Sequence, residues 1–209
     1  MDLNAIIEII KSEIFALHPA EIVSTITAIL YLILAARENI WCWFFGIISC
    51  SFWAWAAYSL YNLQIDSLLQ IFYVAISFWG LYQWKFGSQE KKELPITRLS
   101  IREHFLAIGG GLLLSGIVGW LYANYTSASA TYLDAFTTVF SILITFMVIH
   151  KKLENWLYWI VIDAVYVYLY WTRGGYLFSV LFVAYIVIAF LAWLEWQSKH
   201  KKGYRTEAR

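Results

Sequence analysis

Seven stretches of the sequence are long and apolar enough to cross a lipid bilayer, and this pattern limits the possible folds more than any other feature. A helix that spans the hydrocarbon core needs roughly 17 to 25 mostly apolar residues. Stretches of this kind occupy residues 20–36, 41–60, 66–84, 103–123, 132–149, 155–172 and 176–197. Because lipid cannot satisfy backbone polar groups, each stretch is predicted to be a helix. The sequence therefore predicts an all-α integral membrane protein with seven transmembrane helices.

The composition excludes several classes of protein. Of 209 residues, 61% are hydrophobic and 14% are charged, which is more apolar surface than a soluble domain of this size could bury. A net charge of +1 gives no basic face for nucleic acid. An intramembrane aspartyl protease needs two carboxylates that share a proton, but Asp163 is the single deep one. We therefore expect no enzyme, no cofactor and no metal site, with Cys42 and Cys50 unbridged.

The residues before the first span are predicted to form an amphipathic helix over 1–18 that lies at the membrane surface. Its apolar residues recur at helical spacing, while Glu8 and Lys11 fall elsewhere on the helix. The residues on the apolar face are Ile6, Ile7, Ile10, Ile14 and Leu17.

Basic residues are concentrated on one side of the predicted membrane. The loops after spans one, three, five and seven contain Arg37, Lys85, Lys91, Lys92, Arg98, Arg102, Lys151, Lys152, Lys199, Lys201, Lys202, Arg205 and Arg209. The other side has Lys11 and Arg173. Since cytoplasmic loops are enriched in Lys and Arg, the N-terminus is predicted outside, and the basic tail 198–209 in the cytoplasm.

Two parts of the chain resemble each other and indicate an internal repeat. Glu38-Asn39 matches Glu154-Asn155 and Trp41 matches Trp156, while further along Tyr73 matches Tyr185 and Trp84 matches Trp196. The sequence thus predicts one transmembrane domain over 1–209, with three-helix repeats at 20–84 and 132–197. The linking helix 103–123 returns the chain across the membrane, so both repeats point the same way. This 3+1+3 arrangement of parallel repeats places a substrate site at the interface between the repeats.

The linking helix contains glycine and serine at several positions where another helix could approach closely. They are Gly109, Gly110, Gly111, Ser115, Gly116 and Gly119, and we interpret them as packing residues.

Asp163 is the polar residue that most strongly suggests a site. It lies ten residues from Arg173 and eleven from Lys152, which places it near the middle of the bilayer. A charge there costs roughly 2.5–3.5 kcal/mol, so it needs a cavity or a partner. The residues that share its face or its inner end are Asn155, Trp156, Trp159 and Tyr166. The alternative is a protonated Asp163 that bonds a Tyr or Ser on a neighbouring helix while the aromatic residues only fill a core.

Two other spans add polar candidates to the predicted site. Span three contributes Gln70 and Tyr73, and span five contributes Asp134 and Thr138 from a polar stripe. Aromatic rings with one carboxylate suit an aromatic, hydroxylated molecule that is neutral or cationic. No Arg or Lys lies inside any span, so phosphorylated molecules should be excluded.

These motifs resemble the nicotinamide riboside transporter family, the PnuC type. The segments that carry the resemblance are ENIWCWFFGIIS, DSLLQIFYVAISFWGLYQW, DAFTTVFS and ENWLYWIVIDAVYVYLYWTRGGYL, within residues 20–197. The resemblance implies a bacterial inner-membrane protein, commonly a homotrimer, that passes unphosphorylated nicotinamide riboside by facilitated diffusion for NAD salvage. It also implies that Asn155, Trp156, Trp159, Asp163, Gln70, Asp134 and Thr138 contact the substrate, with the tryptophans against its ring.

Other functions fit the same pattern and stay open. Thiamine or another aromatic vitamin would suit such a pocket almost as well, because thiamine is also an aromatic cation. A structural or signalling membrane protein would need no matching polar residues in both repeats. Asp163 could also couple transport to protons, as intramembrane carboxylates often do.

Overall fold

The computed structural model describes residues 3–61, 64–87, 94–125 and 131–207, and all regular elements in these ranges are helices. The helices are α1 (Leu3–Ala16), α2 (Pro19–Ala36), α3 (Trp41–Ser59), α4 (Gln64–Phe86), α5 (Ile101–Tyr125), α6 (Thr131–Ile149), α7 (Asn155–Thr172) and α8 (Tyr176–Glu207). The prediction of an all-α protein is confirmed. The predicted tail over 198–209 instead continues α8 as far as Glu207.

Each of the seven predicted spans coincides with one helix, from α2 to α8. Four segments in the described part of the chain are long and apolar enough to cross a membrane by length and composition. These are Pro19–Ala36, Ile101–Tyr125, Tyr132–Ile149 and Tyr176–Lys202. Helices α3, α4 and α7 are not among these four, so their crossing of the membrane stays a prediction.

Helix α1 has no buried residue, as expected for a helix at a surface. It packs against α8, and the backbone N–H of Leu177 donates to the Glu13 carboxylate at 2.7 Å. Helix α1 covers Leu3–Ala16 of the segment 1–18, whose location at the membrane surface stays a prediction.

Six helices form a closed ring. Helices α2, α3 and α4 pack in sequence, and so do α6, α7 and α8. Contacts of α4 with α6 and of α2 with α8 then close the ring. Helix α5 packs against α6 from outside, where Gly111 and Gly119 leave room for the side chains of Phe140 and Tyr132. The interior of the ring is thus built by two groups of three helices.

Four tryptophans lie close together near the ends of α2, α4 and α6, and we call this side of the molecule the tryptophan end. Trp84 donates its indole N–H to the carbonyls of Val148 and Ile149, and Trp196 donates to the carbonyl of Ala36. The rings of Trp84 and Trp196 lie 6.4 Å apart, and Trp43 and Trp156 pack against them. We call the other end of these helices the opposite end.

The structure corrects the register of the internal repeat. Trp43 meets Trp84 at 5.4 Å and 86°, and Trp156 meets Trp196 at 5.4 Å and 88°. Trp43, not Trp41, is therefore the counterpart of Trp156, while Trp84 and Trp196 correspond as predicted.

The loops show the same shift. The positive φ angles fall at Glu38 (60°) and Lys151 (47°), so Glu38 corresponds to Lys151 and not to Glu154. The short motifs at the starts of α3 and α7 can be aligned in more than one register. The match of Trp41 with Trp156 chose the wrong one.

Candidate functional site

A ladder of aromatic rings runs between α3, α7 and α8. Its rings, in order from the opposite end inward, are Trp53, Phe178, Tyr170, Phe182 and Tyr166. Successive ring centroids lie 6.4, 5.3, 5.5 and 4.6 Å apart, and Phe182 is stacked on both tyrosines. Tyr166 and Tyr170 are one helical turn apart on α7, so both rings lie on the same face of this helix. We call these five residues the aromatic ladder.

Asp163 lies on α7 next to the inner end of the aromatic ladder. Its side chain is buried, with only 4% of the residue exposed. Tyr166 from the ladder and Tyr185 from α8 are within electrostatic range of it. No hydrogen bond or ion pair of Asp163 is found among the described residues.

Hydroxyl groups surround the inner end of the ladder. The Tyr166 hydroxyl lies beside Thr137 and Ser141 of α6, and Tyr73 of α4 also lies beside Ser141. Thr137 and Ser141 are both buried. Because hydroxyl groups both donate and accept hydrogen bonds, this region could bind the hydroxyl groups of a small molecule.

Two polar residues of α4 lie at the outer end of the ladder. The Asp66 carboxylate accepts a hydrogen bond from the indole N–H of Trp53 at 2.9 Å. Gln70, one turn later on α4, lies beside Asp66. The structure therefore brings together four of the predicted site residues: Gln70, Tyr73, Asp163 and Tyr166.

Three other predicted residues lie closer to the tryptophan end. Asn155 is fully buried and donates from its amide to the Lys152 carbonyl at 2.7 Å. Its amide oxygen and the Trp156 indole N–H have no partner among the described residues. Trp159 packs against both hydrophobic cores of the molecule. Buried polar atoms usually have partners, so Asn155 and Trp156 could contact a ligand that reaches this end.

The two predicted residues of α6 are placed differently. Asp134 forms an ion pair with Arg173 at 3.1 Å, and both side chains are partly exposed. On the same helix it is Thr137, not Thr138, that lies beside Tyr166. The pair of Asp134 and Arg173 thus lies at the opposite end, within electrostatic range of Tyr170 of the aromatic ladder.

Sequence analysis missed Trp53, Phe178, Phe182, Tyr185 and Asp66 as members of the site. Tyr185 could have been found, because the internal repeat pairs it with Tyr73, which is a predicted site residue. The sequence did not single out Trp53, Phe178 and Phe182, because aromatic residues make up 20% of the chain.

An open apolar groove of about 420 Å³ lies elsewhere, between α5, α6 and α7. Its lining residues include His104, Phe136, Phe140, Tyr158 and Ile162. It contains none of the predicted site residues. Among the described residues, no cluster of three or more His, Cys, Asp or Glu side chains could hold a metal ion.

Comparison with known proteins identifies the family. The family model described as "Nicotinamide mononucleotide transporter" matches residues 18–198, which is most of the chain. The chain belongs to this family. As a member of the nicotinamide mononucleotide transporter family it is a transporter and not an enzyme. Together with the four apolar helices, this makes it a multi-pass protein of the bacterial inner membrane.

Several curated proteins are similar to this chain over most of their length. The nicotinamide riboside transporter PnuC of Neisseria mucosa is 25% identical, over 91% of this chain and 79% of the relative. The PnuC of Escherichia coli is 27% identical, over 82% of this chain and 81% of the relative. The riboflavin/roseoflavin transporter RibM of Streptomyces davaonensis is 23% identical, over 94% and 95%.

A solved structure also shows the family fold. It is the crystal structure of the vitamin B3 transporter PnuC, which superposes with a TM-score of 0.72 at 22% identity. The match covers 94% of this chain and 90% of the solved one. The resemblance of the sequence motifs to this family is thereby confirmed.

Proposed function

We propose that this protein carries unphosphorylated nicotinamide riboside across the membrane by facilitated diffusion, for NAD salvage. The observation that carries the proposal is Asp163, a buried carboxylate without a fixed partner at the end of the aromatic ladder. Nicotinamide riboside has a flat cationic ring, which aromatic faces and a carboxylate both attract. Its ribose hydroxyls would meet the hydroxyl groups of Tyr73 and Ser141.

Nicotinamide mononucleotide, which gives the family model its description, fits this site less well. Its phosphate would need positively charged or N–H donors. The residues of the ladder and its inner end include no Lys or Arg, and Arg173 near the opposite end already pairs with Asp134. The named curated PnuC relatives are likewise described as transporters of the riboside.

The proposed role of the predicted site residues follows their positions. Trp159, Tyr166 and the rest of the ladder would contact the ring, and Asp163 would face its positive charge. Gln70, Asn155 and Trp156 would bond polar groups as the substrate moves between the two ends. We assign Asp134 and Thr138 no contact with the substrate, although the family resemblance implies one.

The proposed membrane architecture is the 3+1+3 arrangement with seven crossing helices. The three-helix repeats would lie within 20–84 and 132–197, with 103–123 as the linking helix and 1–18 at the surface. The ring of six helices supports this proposal, as do the matching tryptophan pairs. We place the tryptophan end in the cytoplasm and the N-terminus outside, because Lys and Arg are concentrated at the tryptophan end. We further propose a homotrimer, by resemblance to the family.

The test is uptake by the purified protein in liposomes. Nicotinamide riboside, nicotinamide mononucleotide, thiamine and riboflavin would be compared at equal concentrations. Uptake of the riboside and exclusion of the mononucleotide would support the proposal. Riboflavin is the second candidate, because the RibM relative matches nearly the whole chain. If the protein takes up riboflavin or thiamine but not the riboside, that vitamin is the substrate in place of the riboside. If it takes up none of the four molecules, the transport proposal is wrong.

The mechanism is tested by collapsing the proton gradient in the same liposomes. Facilitated diffusion down an imposed riboside gradient should continue at an unchanged rate. If Asp163 couples transport to protons, accumulation against a riboside gradient should occur with the proton gradient and stop without it.

A further inference from the structure

We propose that Asp66 is a specificity-determining residue that draws cationic aromatic substrates onto the outer end of the aromatic ladder. The inference rests on the proposed function and names a role that the sequence did not suggest. Asp66 lies in the first turn of α4 and is half-buried. Its position, its partner and its uncompensated charge each support this role.

The first step is the contact of Asp66 with the ladder. Its carboxylate holds the indole of Trp53 through a hydrogen bond of 2.9 Å, and Trp53 is the outermost rung. The carboxylate is also within electrostatic range of Tyr73, Tyr166 and Tyr170. A carboxylate and an aromatic face that are joined in this way attract the same ligand, a flat cation.

The second step is that no basic side chain neutralises Asp66. Among the described residues it forms no ion pair, and its neighbours Trp53 and Gln70 are uncharged. Asp134, at the same end of the molecule, differs because Arg173 compensates it. The Asp66 charge is therefore free to act on an approaching cation.

The third step is the charge of the surrounding end. Glu13 and Glu21 also lie at the opposite end, where Glu21 accepts hydrogen bonds from Tyr61 and the His18 backbone. Lys and Arg residues are concentrated at the tryptophan end instead. Lys11 and Arg173 at this end pair with Glu8 and Asp134, so the remaining carboxylates give it an excess of negative charge that favours cations before they reach the site.

Asp66 and Asp163 would then act in succession. Asp66 would hold the cation against Trp53, and Asp163 would receive it at the inner end of the ladder. A neutral aromatic molecule would use the same rings without the help of either carboxylate. Asp66 therefore determines specificity between charged and uncharged forms of one ring system.

The experiment compares two forms of the substrate that differ in ring charge. Nicotinamide riboside carries a positive charge, and its reduced dihydro form is neutral. The variant Asp66→Asn removes the charge but keeps an oxygen that can accept the Trp53 hydrogen bond. We expect the KM of riboside uptake to rise about three- to tenfold, with kcat nearly unchanged. Uptake of the dihydro form should not change.

Salt dependence gives a second readout. Added salt should raise the KM for the cation in the wild-type protein and have a smaller effect in Asp66→Asn, because salt screens exposed charges. The matched control is Glu195→Gln, which removes an exposed carboxylate of α8 at the tryptophan end, where Lys199 pairs with it. This variant should leave the KM for both forms within about twofold of wild type.

The outcomes separate this inference from the proposed function. Riboside uptake by wild type with an unchanged KM in Asp66→Asn would overturn the role of Asp66 alone. An equal rise in KM for both forms would show that Asp66 acts by positioning Trp53 and not by charge. If wild type carries neither form, the proposed function itself fails.

Discussion

At the scale of single residues, Asp163 is placed where a carboxylate weakens the folded protein. It is buried on α7, and nothing in the described part of the chain bonds it. Burying a carboxyl group without a hydrogen-bonding partner is unfavourable even in its neutral form, and its charged form in the middle of a membrane helix costs roughly 2.5–3.5 kcal/mol. Stability therefore does not explain this residue, whereas contact with a cation would.

The first prediction concerns the variant Asp163→Asn. Loss of a charged hydrogen-bonding partner should lower the kcat/KM of riboside uptake by about tenfold to a hundredfold. The temperature of unfolding in detergent should stay the same or rise, because an unpaired buried charge is removed. Liposome uptake and thermal unfolding measure the two effects separately.

Tyr168→Phe on the same helix is the control for Asp163→Asn. Tyr168 is 61% exposed, so this change should alter neither uptake nor unfolding. A lower unfolding temperature for Asp163→Asn with uptake retained would mean that Asp163 is a structural residue.

The residues of one helix were easier to predict from sequence than the contacts between helices. Asp163 and Tyr166 were found because helical spacing places them on one face of α7. Trp53, Phe178 and Phe182 were missed because the contact of Trp53 with Phe178, and those of Phe178 and Phe182 with the tyrosines of α7, depend on how α3 and α8 rotate about their axes. Periodicity cannot determine that rotation when nearly every position of a span is apolar.

At the scale of helices, Gly80 allows α3 and α4 to pack closely. A Cβ atom at Gly80 would lie 2.5 Å from the ring of Trp43, which is only 1% exposed. The ring cannot move away, because it also packs against Tyr31 and Trp84. The absence of a side chain at Gly80 is therefore required by its neighbour.

The second prediction is that Gly80→Ala destabilises the protein. Overpacking a well-filled core costs about 1–3 kcal/mol, so the temperature of unfolding in detergent should fall. Gly116→Ala on α5 is the matched control, since a Cβ atom there would have nothing within 4 Å. Alanine is favoured over glycine within a helix by about 0.5–1 kcal/mol, so the control should unfold at the same or a higher temperature. Similar shifts in both variants would contradict the close contact with Trp43.

Helix positions were predicted well, but their packing was not. Six of the seven predicted spans begin and end within two residues of their helices, and the seventh, 176–197, begins with α8 but ends ten residues before it. The agreement follows because the length of an apolar stretch sets the length of its helix. The small residues of α5 illustrate what sequence could not show: Gly111 and Gly119 face α6, while Gly109, Gly110 and Gly116 have open space beside them. All five are equally small, and only the contact with α6 distinguishes them.

At the scale of the whole molecule, charged side chains join the two groups of three helices at the tryptophan end. Lys151, between α6 and α7, donates to the carboxylate of Glu38, between α2 and α3, at 2.8 Å. Lys151 also lies over the ring of Trp84 at 4.8 Å. Lys199 of α8 reaches the other oxygen of Glu38 at 3.2 Å. Glu38 of the first group of three helices thus binds two lysines of the second group.

The third prediction compares the two lysines that share Glu38. The Lys151 side chain is 4% exposed and the Lys199 side chain is 39% exposed. Breaking a buried ion pair costs about 3–5 kcal/mol, so Lys151→Met should lower the unfolding temperature strongly. An exposed pair contributes at most about 1 kcal/mol, so Lys199→Met should have a small effect.

The double variant Lys151→Met, Glu38→Gln tests whether the loss comes from the unpaired charge. It should recover part of the stability lost in Lys151→Met, because Glu38 then no longer carries a charge that has lost its buried partner and keeps only the more exposed Lys199. A double variant that is as unstable as the sum of its single changes would indicate independent contributions. In that case the contact of Lys151 with Trp84, and not its pairing with Glu38, would be what joins the two groups of helices at this end.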